Sequence, residues 1–200
     1  MRDPERTRRR ILDAALKEFS ARGFTGARIG TIARLGKVNK RMLYHYFEDK
    51  EGLFRAVLRQ KMSERLNRAE ILAPNADVVS SLTLWFKQNC QDTDWVRLLA
   101  WESLQAADDS ILDEEERRRI SRQVTARIKQ KQSAGLLRND VAAVHLQLAK
   151  VSLAMFPLAL PHIARIITGR SPQNPQFQRE YARFLETISG SFRPTKVATK

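Results

Sequence analysis

Residues 28–47 read RIGTIARLGKVNKRMLYHYF. Two short segments with helical apolar spacing flank a break at residues 36–38, GKV. In the first, Ile29, Ile32 and Ala33 share one face, which predicts a helix over about 28–35. In the second, Asn39 is a good N-cap for a helix over about 39–46, anchored by Leu43 and Phe47. The rest of that helix is cationic or polar. A protein that needed only a stable core would not load one short helix with donors and cations. The combination points to a helix held by its neighbour and offered to the major groove of DNA. Ala33 is small where two helices must cross closely. The outward set is then Arg28, Thr31, Lys37, Asn39, Lys40, Arg41, Tyr44 and His45.

Roles follow from side-chain chemistry. Lys37, Lys40 and Lys50 suit phosphates, as point charges that position without reading sequence. Arg41 suits either a bidentate contact to guanine or a phosphate. Tyr44 can reach a phosphate, pack on a thymine methyl, or serve as a half-buried core tyrosine. His45 can face the groove or simply be solvated. Lys50 opens a further helix capped by Asp49, whose free backbone N–H groups could hold another phosphate. A plain helix-start cation is the alternative there.

The composition agrees. The 200 residues carry 36 Lys and Arg against 22 Asp and Glu, a net charge of +14, with 42% hydrophobic residues. Such a chain buries a core and attracts polyanions, nucleic acid before anionic membrane. Residues 1–50 alone hold 13 basic and 6 acidic side chains, half of the excess charge in a quarter of the chain. Cys90 is the only cysteine, which excludes an intrachain disulfide and a cysteine-rich zinc site. The N-terminus lacks an apolar signal core, and Pro157 and Pro161 interrupt the best apolar run. The expectation is a cytoplasmic protein with no membrane partner.

Helical spacing continues along the chain, and an all-α fold of about nine helices is expected. Asp3 and Pro4 start the first helix, Ile11, Leu12, Ala15, Leu16 and Phe19 line its inner face, and Gly23 is read as its left-handed cap. Phe24 would tuck back onto the core. A fourth helix runs from Asp49 to about Ala73, with Leu53, Phe54, Val57, Leu58 and Met62 inward, and breaks at Pro74 and Asn75. Further helices are predicted over about 76–91, 94–107, 113–133, 139–157 and 175–190. Asp113 with Glu116 reads as a capping box, and Asn139 as the start of a helix with Val141, Val144, Leu148, Val151 and Met155 on one face. Residues 169–175, GRSPQNP, are a loop by composition, and the tail from Pro194 is basic and polar. By motif, the chain divides into a helix-turn-helix domain over 1–50, a helical regulatory and dimerisation domain over 51–193, and the tail 194–200.

These residues resemble the N-terminal domain of tetracycline-repressor-type (TetR) transcriptional regulators. The matching marks run from Ile11 to Leu58: Ala14 and Ala15, Phe19 followed by Gly23 and Phe24, Ile32 and Ala33, Val38 before Asn39 and Lys40, Leu43 and Tyr44, Phe47, then Lys50, Glu51 and Leu53. Two positions depart from the family's habit. Ala27 stands where a threonine cap is common, so Gly26 or Thr25 would have to cap the second helix. Lys37 stands where the turn commonly has glycine. Either lysine takes a left-handed backbone, or the turn shifts and Gly36 absorbs it. The resemblance implies a homodimer on a palindromic operator in double-stranded DNA. It also implies repression, relieved by a small-molecule effector in the C-terminal domain. Two recognition helices about 34–36 Å apart would meet successive major grooves.

In the C-terminal part, Phe177, Tyr181, Phe184, Leu185, Ile188 and Phe192 recur at spacings of three or four. That stripe is either core or half of a dimer bundle, which the resemblance places on about 139–157 and 175–190. Phe177, Tyr181, Phe184, Leu185 and Ile188 are the interface candidates. Trp85, Trp95, Trp101, Met155 and Phe156 are candidates to line an effector pocket, or else core. His145, Lys150 and His162 lie near apolar runs and are read as satisfied locally.

Catalytic constellations are missing from the sequence. It has three histidines, no His-Glu-x-x-His, no Gly-rich phosphate loop and no Gly-x-Ser-x-Gly. The acidic residues Asp108, Asp109, Asp113 and Glu116 read as a solvated helix start rather than a metal site. No enzyme, cofactor or metal is expected. Two other readings stay open: a non-specific architectural DNA-binding protein, favoured by the charge, and an amphipathic bundle on anionic membranes.

Overall fold

The computed structural model describes residues 3–72, 78–105 and 111–194, which form helices and turns with no strand among them. The described residues form ten helices: α1 (Pro4–Gly26), α2 (Ile29–Leu35), α3 (Lys40–Phe47), α4 (Lys50–Leu72), α5 (Val78–Gln91), α6 (Thr93–Gln105), α7 (Glu114–Ser133), α8 (Ala143–Ala159), α9 (Pro161–Thr168) and α10 (Pro175–Gly190). The helix α9 is not among those expected from the sequence, where Pro161 interrupts the apolar run. Pro161 stands instead in the first turn of a new helix, where its missing N–H costs nothing. The break read at Pro74 and Asn75, the acidic pair Asp108 and Asp109, and the tail beyond residue 194 lie outside the described residues.

The chain forms two compact units, one of residues 1–74 with 93–112, the other of 75–92 with 113–200. The first unit therefore takes in α4 and α6 as well as the three N-terminal helices. In it, α1 packs against α2, α4 and α6, and α3 packs against α2 and α4. Asp3 starts α1 by accepting hydrogen bonds from the N–H groups of Glu5 (3.0 Å) and Arg6 (3.2 Å). Ile11, Leu12, Ala15 and Phe19 are buried in its apolar stripe. Burying each large side chain fully contributes about 1.5–3 kcal/mol. Phe24 turns back as expected, its ring 5.3 Å from Phe54 and 6.2 Å from Phe19. Gly23 breaks the helical backbone with a positive φ, as expected, and a short further turn follows. It takes φ 67°, ψ 178°, a kink that only glycine adopts readily, and the helix resumes to Gly26. The start of α6 is tied to α1 where the Ser20 hydroxyl donates to the Asp94 carboxylate at 2.8 Å.

The second unit packs α5 against α8 and α10, α7 against α8, and α8 against α9. Leu82, Phe86, Ala154, Leu158, Phe177 and Leu185 are buried in it. Asn89 Nδ2 donates to the Ala154 carbonyl (3.0 Å), and the Tyr181 hydroxyl donates to the Leu153 carbonyl (3.0 Å). Asn174 caps α10 through the N–H groups of Gln176 and Phe177.

Two helix starts differ from expectation. Asp113 makes no side-chain cap and holds a left-handed backbone, while Glu116 pairs with Arg119. Likewise α8 begins at Ala143 rather than at Asn139. The side chain of Gln132 donates to the carbonyls of Arg138 and Val141 at 2.8 Å each, and Arg138 pairs with Asp140. These bonds satisfy the connection as an irregular turn. Val141 precedes the helix and packs on Ile128, Leu137, Ala143 and Leu146. Val144 and Leu148, which the spacing places on one face of this helix, are 55% and 62% exposed.

No single helix among the described residues is long and apolar enough to cross a membrane. The pair α8 and α9 has the length and composition together, but bends by 86° at the junction.

Candidate nucleic-acid interface

The placement of α3 rests on one cap, two anchors and two strained turns. Asn39 Oδ1 accepts the N–H of Met42 at 2.7 Å, which fixes the helix start. Leu43 is fully buried and Phe47 is 5% exposed, with the Arg8 guanidinium 5.5 Å over the Phe47 ring. Tyr46, which sequence reading left unassigned, donates to the Pro4 carbonyl at 3.4 Å. On the other side Lys40, Arg41 and His45 are exposed, and so is Tyr44, at 45%. Tyr44 is thus not a core tyrosine. Four side chains able to donate or carry charge stand on the free surface of an eight-residue helix.

The turn before α3 settles the question raised by Lys37. Lys37 itself takes the left-handed conformation, at φ 52°. Gly36 has φ −75° and is needed for a different reason. A Cβ there would lie 3.2 Å from the Ile32 carbonyl oxygen and 3.5 Å from Cα of Ile11. Glycine lets the turn approach α1; lysine takes the strain and keeps a cation at the surface. After α3, Glu48 sits at φ 65°, ψ −61°, with the N–H of Asp49 bonded to the Phe47 carbonyl at 2.7 Å. This is the rarer, strained form of γ-turn.

The second helix of the motif is capped from outside. Neither Thr25 nor Gly26 caps it. The N-cap residue is Arg28, whose own N–H donates to the carboxylate of Glu18 on α1 at 3.1 Å. The Arg28 side chain is exposed, and Thr31 is half-buried.

Lys50 does not stand with the others. Its ammonium donates to the Thr25 carbonyl at 3.2 Å and lies 5.0 Å from the Phe24 ring centroid. Desolvation there lowers its pKa, partly offset by the charge of Glu18. The Asp49 carboxylate accepts the N–H of Gly52 at 2.7 Å, so the start of α4 already has an anion. Two cations outside the expected set lie beside Lys37. Arg10 and Arg34 line one surface depression of about 500 Å³ with Lys37 and Asn39. The run of arginines at 8–10 was the available signal, but only the fold brings α1 beside the turn.

The pocket candidates are divided between the units. Trp95, 8% exposed with the Arg65 guanidinium 5.6 Å over its ring, and half-buried Trp101 belong to the first. Half-buried Trp85 and Met155, with Phe156 at 43% exposure, belong to the second. Of the interface candidates, Phe177 (4% exposed) and Leu185 (0%) are buried within the second unit, where α10 packs against α5. Tyr181 and Ile188 are half-buried, and Phe184 is 44% exposed. The Tyr181 ring lies 4.9 Å from Phe86 and 5.5 Å from Phe177.

Comparison with known proteins agrees with this geometry. The family model for bacterial regulatory proteins of the tetR family matches residues 11–57, and that for the tetracyclin repressor-like C-terminal domain matches residues 83–186. The HTH-type transcriptional repressor NicS of Pseudomonas putida is 32% identical over 193 residues, 92% of this chain and 91% of that protein. The HTH-type transcriptional repressor SCO4008 of Streptomyces coelicolor is 30% identical over 168 residues, 84% of this chain and 86% of that one. The crystal structure of the transcriptional regulator SCO4942 from Streptomyces coelicolor superposes with a TM-score of 0.71 at 26% identity, covering 91% of this chain and 97% of the other. A helix-turn-helix with an exposed cationic second helix, followed by a matching helical domain, makes this chain a member of the TetR family of DNA-binding transcriptional regulators, not an enzyme.

Proposed function

We propose that this chain is a homodimeric repressor that binds a palindromic operator and releases it when a small molecule binds the second unit. The observation that carries the DNA half is the division of α3: Leu43 and Phe47 buried, Lys40, Arg41, Tyr44 and His45 outward. Arg41 is assigned to a base edge and Lys37 and Lys40 to phosphates. Arg10 and Arg34 widen the phosphate-binding surface. Support for the dimer comes from the apolar side chains α8 and α10 leave exposed: Val144 at 55%, Leu148 at 62% and Phe184 at 44%. Those surfaces call for a partner of the same kind.

Selection of genomic fragments by the purified protein tests the reading. An enriched inverted repeat, protected from cleavage over two half-sites about one helical turn apart, is the expected result. Equal affinity for shuffled sequences would replace it with non-specific architectural binding, which the net charge of +14 would suit.

A further inference from the structure

The second unit holds a cation with no carboxylate partner among the described residues. Lys150 on α8 reaches across to α5, where its Nζ lies 4.5 Å from the ring centroid of Trp85. Burial holds its pKa down to about 8, and the like charge of Lys131 on α7 pushes the same way. Among the described residues no carboxylate pairs with Lys150. The indole face compensates a buried ammonium only in part. One turn further along α5, on the side of Trp85, stands Gln88. It is 7% exposed, and its Nε2 has no hydrogen-bond partner among the described residues. On the same helix Asn89 donates to the Ala154 carbonyl, while the buried Thr83 hydroxyl, like Gln88, lacks a hydrogen-bond partner among the described residues.

Two donors thus lack acceptors, one of them the charged Lys150 at the Trp85 ring and the other Gln88, three residues from Trp85 on α5. A carboxylate has one charge and two acceptor oxygens, which answers both. The flanking positions, Phe86 on α5 and Leu146 and Ala154 on α8, are buried and apolar, so the body of the ligand must be apolar too. We propose that Lys150, Trp85 and Gln88 form the recognition point in the second unit for a small amphipathic carboxylate. This rests on the effector reading above and names the chemical class of that effector.

The test uses the full-length dimer-competent protein and four probes: decanoate, phenylacetate, decanamide and phenylacetamide. Binding is read by tryptophan fluorescence and thermal shift, and operator release by anisotropy of a labelled DNA duplex. At least one acid should bind, its amide at least tenfold more weakly. Lys150→Met should lose the acid at least tenfold, and Lys150→Arg should retain it. Without ligand, Lys150→Met should melt higher than the parent, since it removes an unneutralised buried charge; that also shows the variant is folded. Gln88→Leu should weaken the acid without changing the amide. Equal binding of acid and amide, no effect of Lys150→Met on the acid, a lower melting temperature for that variant, or no binding by any probe would each overturn the inference. If an amide binds and releases DNA, the effector reading stands and the carboxylate fails. If an acid binds through Lys150 but leaves the DNA complex unchanged, the site stands and the effector reading fails.

Discussion

The buried carboxylate of Glu18 on α1 accepts the backbone N–H of Arg28 at 3.1 Å, so one helix supplies the cap of the next. A local serine or threonine cap would fix α2 only to itself. Glu18 fixes it to α1. Its charge also acts on Lys50, whose ammonium holds the Thr25 carbonyl in the same connection. The brace behind the recognition helix is therefore assembled from three helices.

Glu18→Ala should destabilise the protein by about 1–2 kcal/mol, the worth of a charge-assisted cap. Glu18→Gln should recover part of that, since an amide oxygen still accepts the bond. Denaturant unfolding measures both. Operator affinity should fall with Glu18→Ala although the side chain is buried away from the DNA-facing surface.

Lys37→Gly should separate stability from binding. Removing a side chain at φ 52° relieves about 1 kcal/mol of backbone strain. The same change removes one phosphate cation, so the slope of log K against log salt should shrink by about 0.9. A variant that melts higher yet binds DNA more weakly is the expected outcome.

Arg41→Ala and Lys40→Ala should differ in kind. Loss of a guanine contact costs about 1–3 kcal/mol and relaxes sequence preference at one position of each half-site. Loss of a phosphate contact weakens all sequences alike. Binding assays on a set of single-base operator variants distinguish them.

Lys150 sets a pH dependence of sign opposite to that of a salt-bridged lysine. Its folded pKa, about 8, lies below the ordinary lysine value of 10.5. Below pH 8 the folded state holds an unfavourable charge, and that penalty fades as pH rises from about 8 to 10.5, where the unfolded state binds the extra proton. Cys90 acts the other way: burial pushes its thiol up to about 11, so ionisation of the unfolded chain favours unfolding above pH 9. Stability measured from pH 7 to 10 in the parent and in Lys150→Met isolates the lysine. The parent should gain on the variant by an amount on the order of 2–3 kcal/mol.

Phe184→Glu should leave the protomer folded, because the side chain is 44% exposed, while Leu185→Glu should unfold it, because that neighbour is fully buried. Sedimentation shows whether the first variant is monomeric, and calorimetry shows the loss of the second.

The sequence alone was enough for the all-α class, the helix-turn-helix at 28–47, the Asn39 and Asp49 caps, and the inward set Ile32, Leu43 and Phe47. Each of these depends on residues within a turn or two of one another, and local capping and periodicity are written in local order. What failed depended on distance. The cap of α2 comes from Glu18, ten residues away along the chain, and no spacing rule points to it. The left-handed residue is Lys37 because α1 needs Gly36 for space, a fact about two backbones meeting. Lys50 is held apart from the outward side chains of α3 because a carbonyl and an aromatic ring lie within its reach. Phe177 and Phe184 belong to one stripe in sequence, yet one is core and the other surface, because α5 covers only part of α10. Periodicity tells which side chains share a face. Only the tertiary structure tells what covers that face, since burial is a property of the neighbour and not of the helix that carries the side chain.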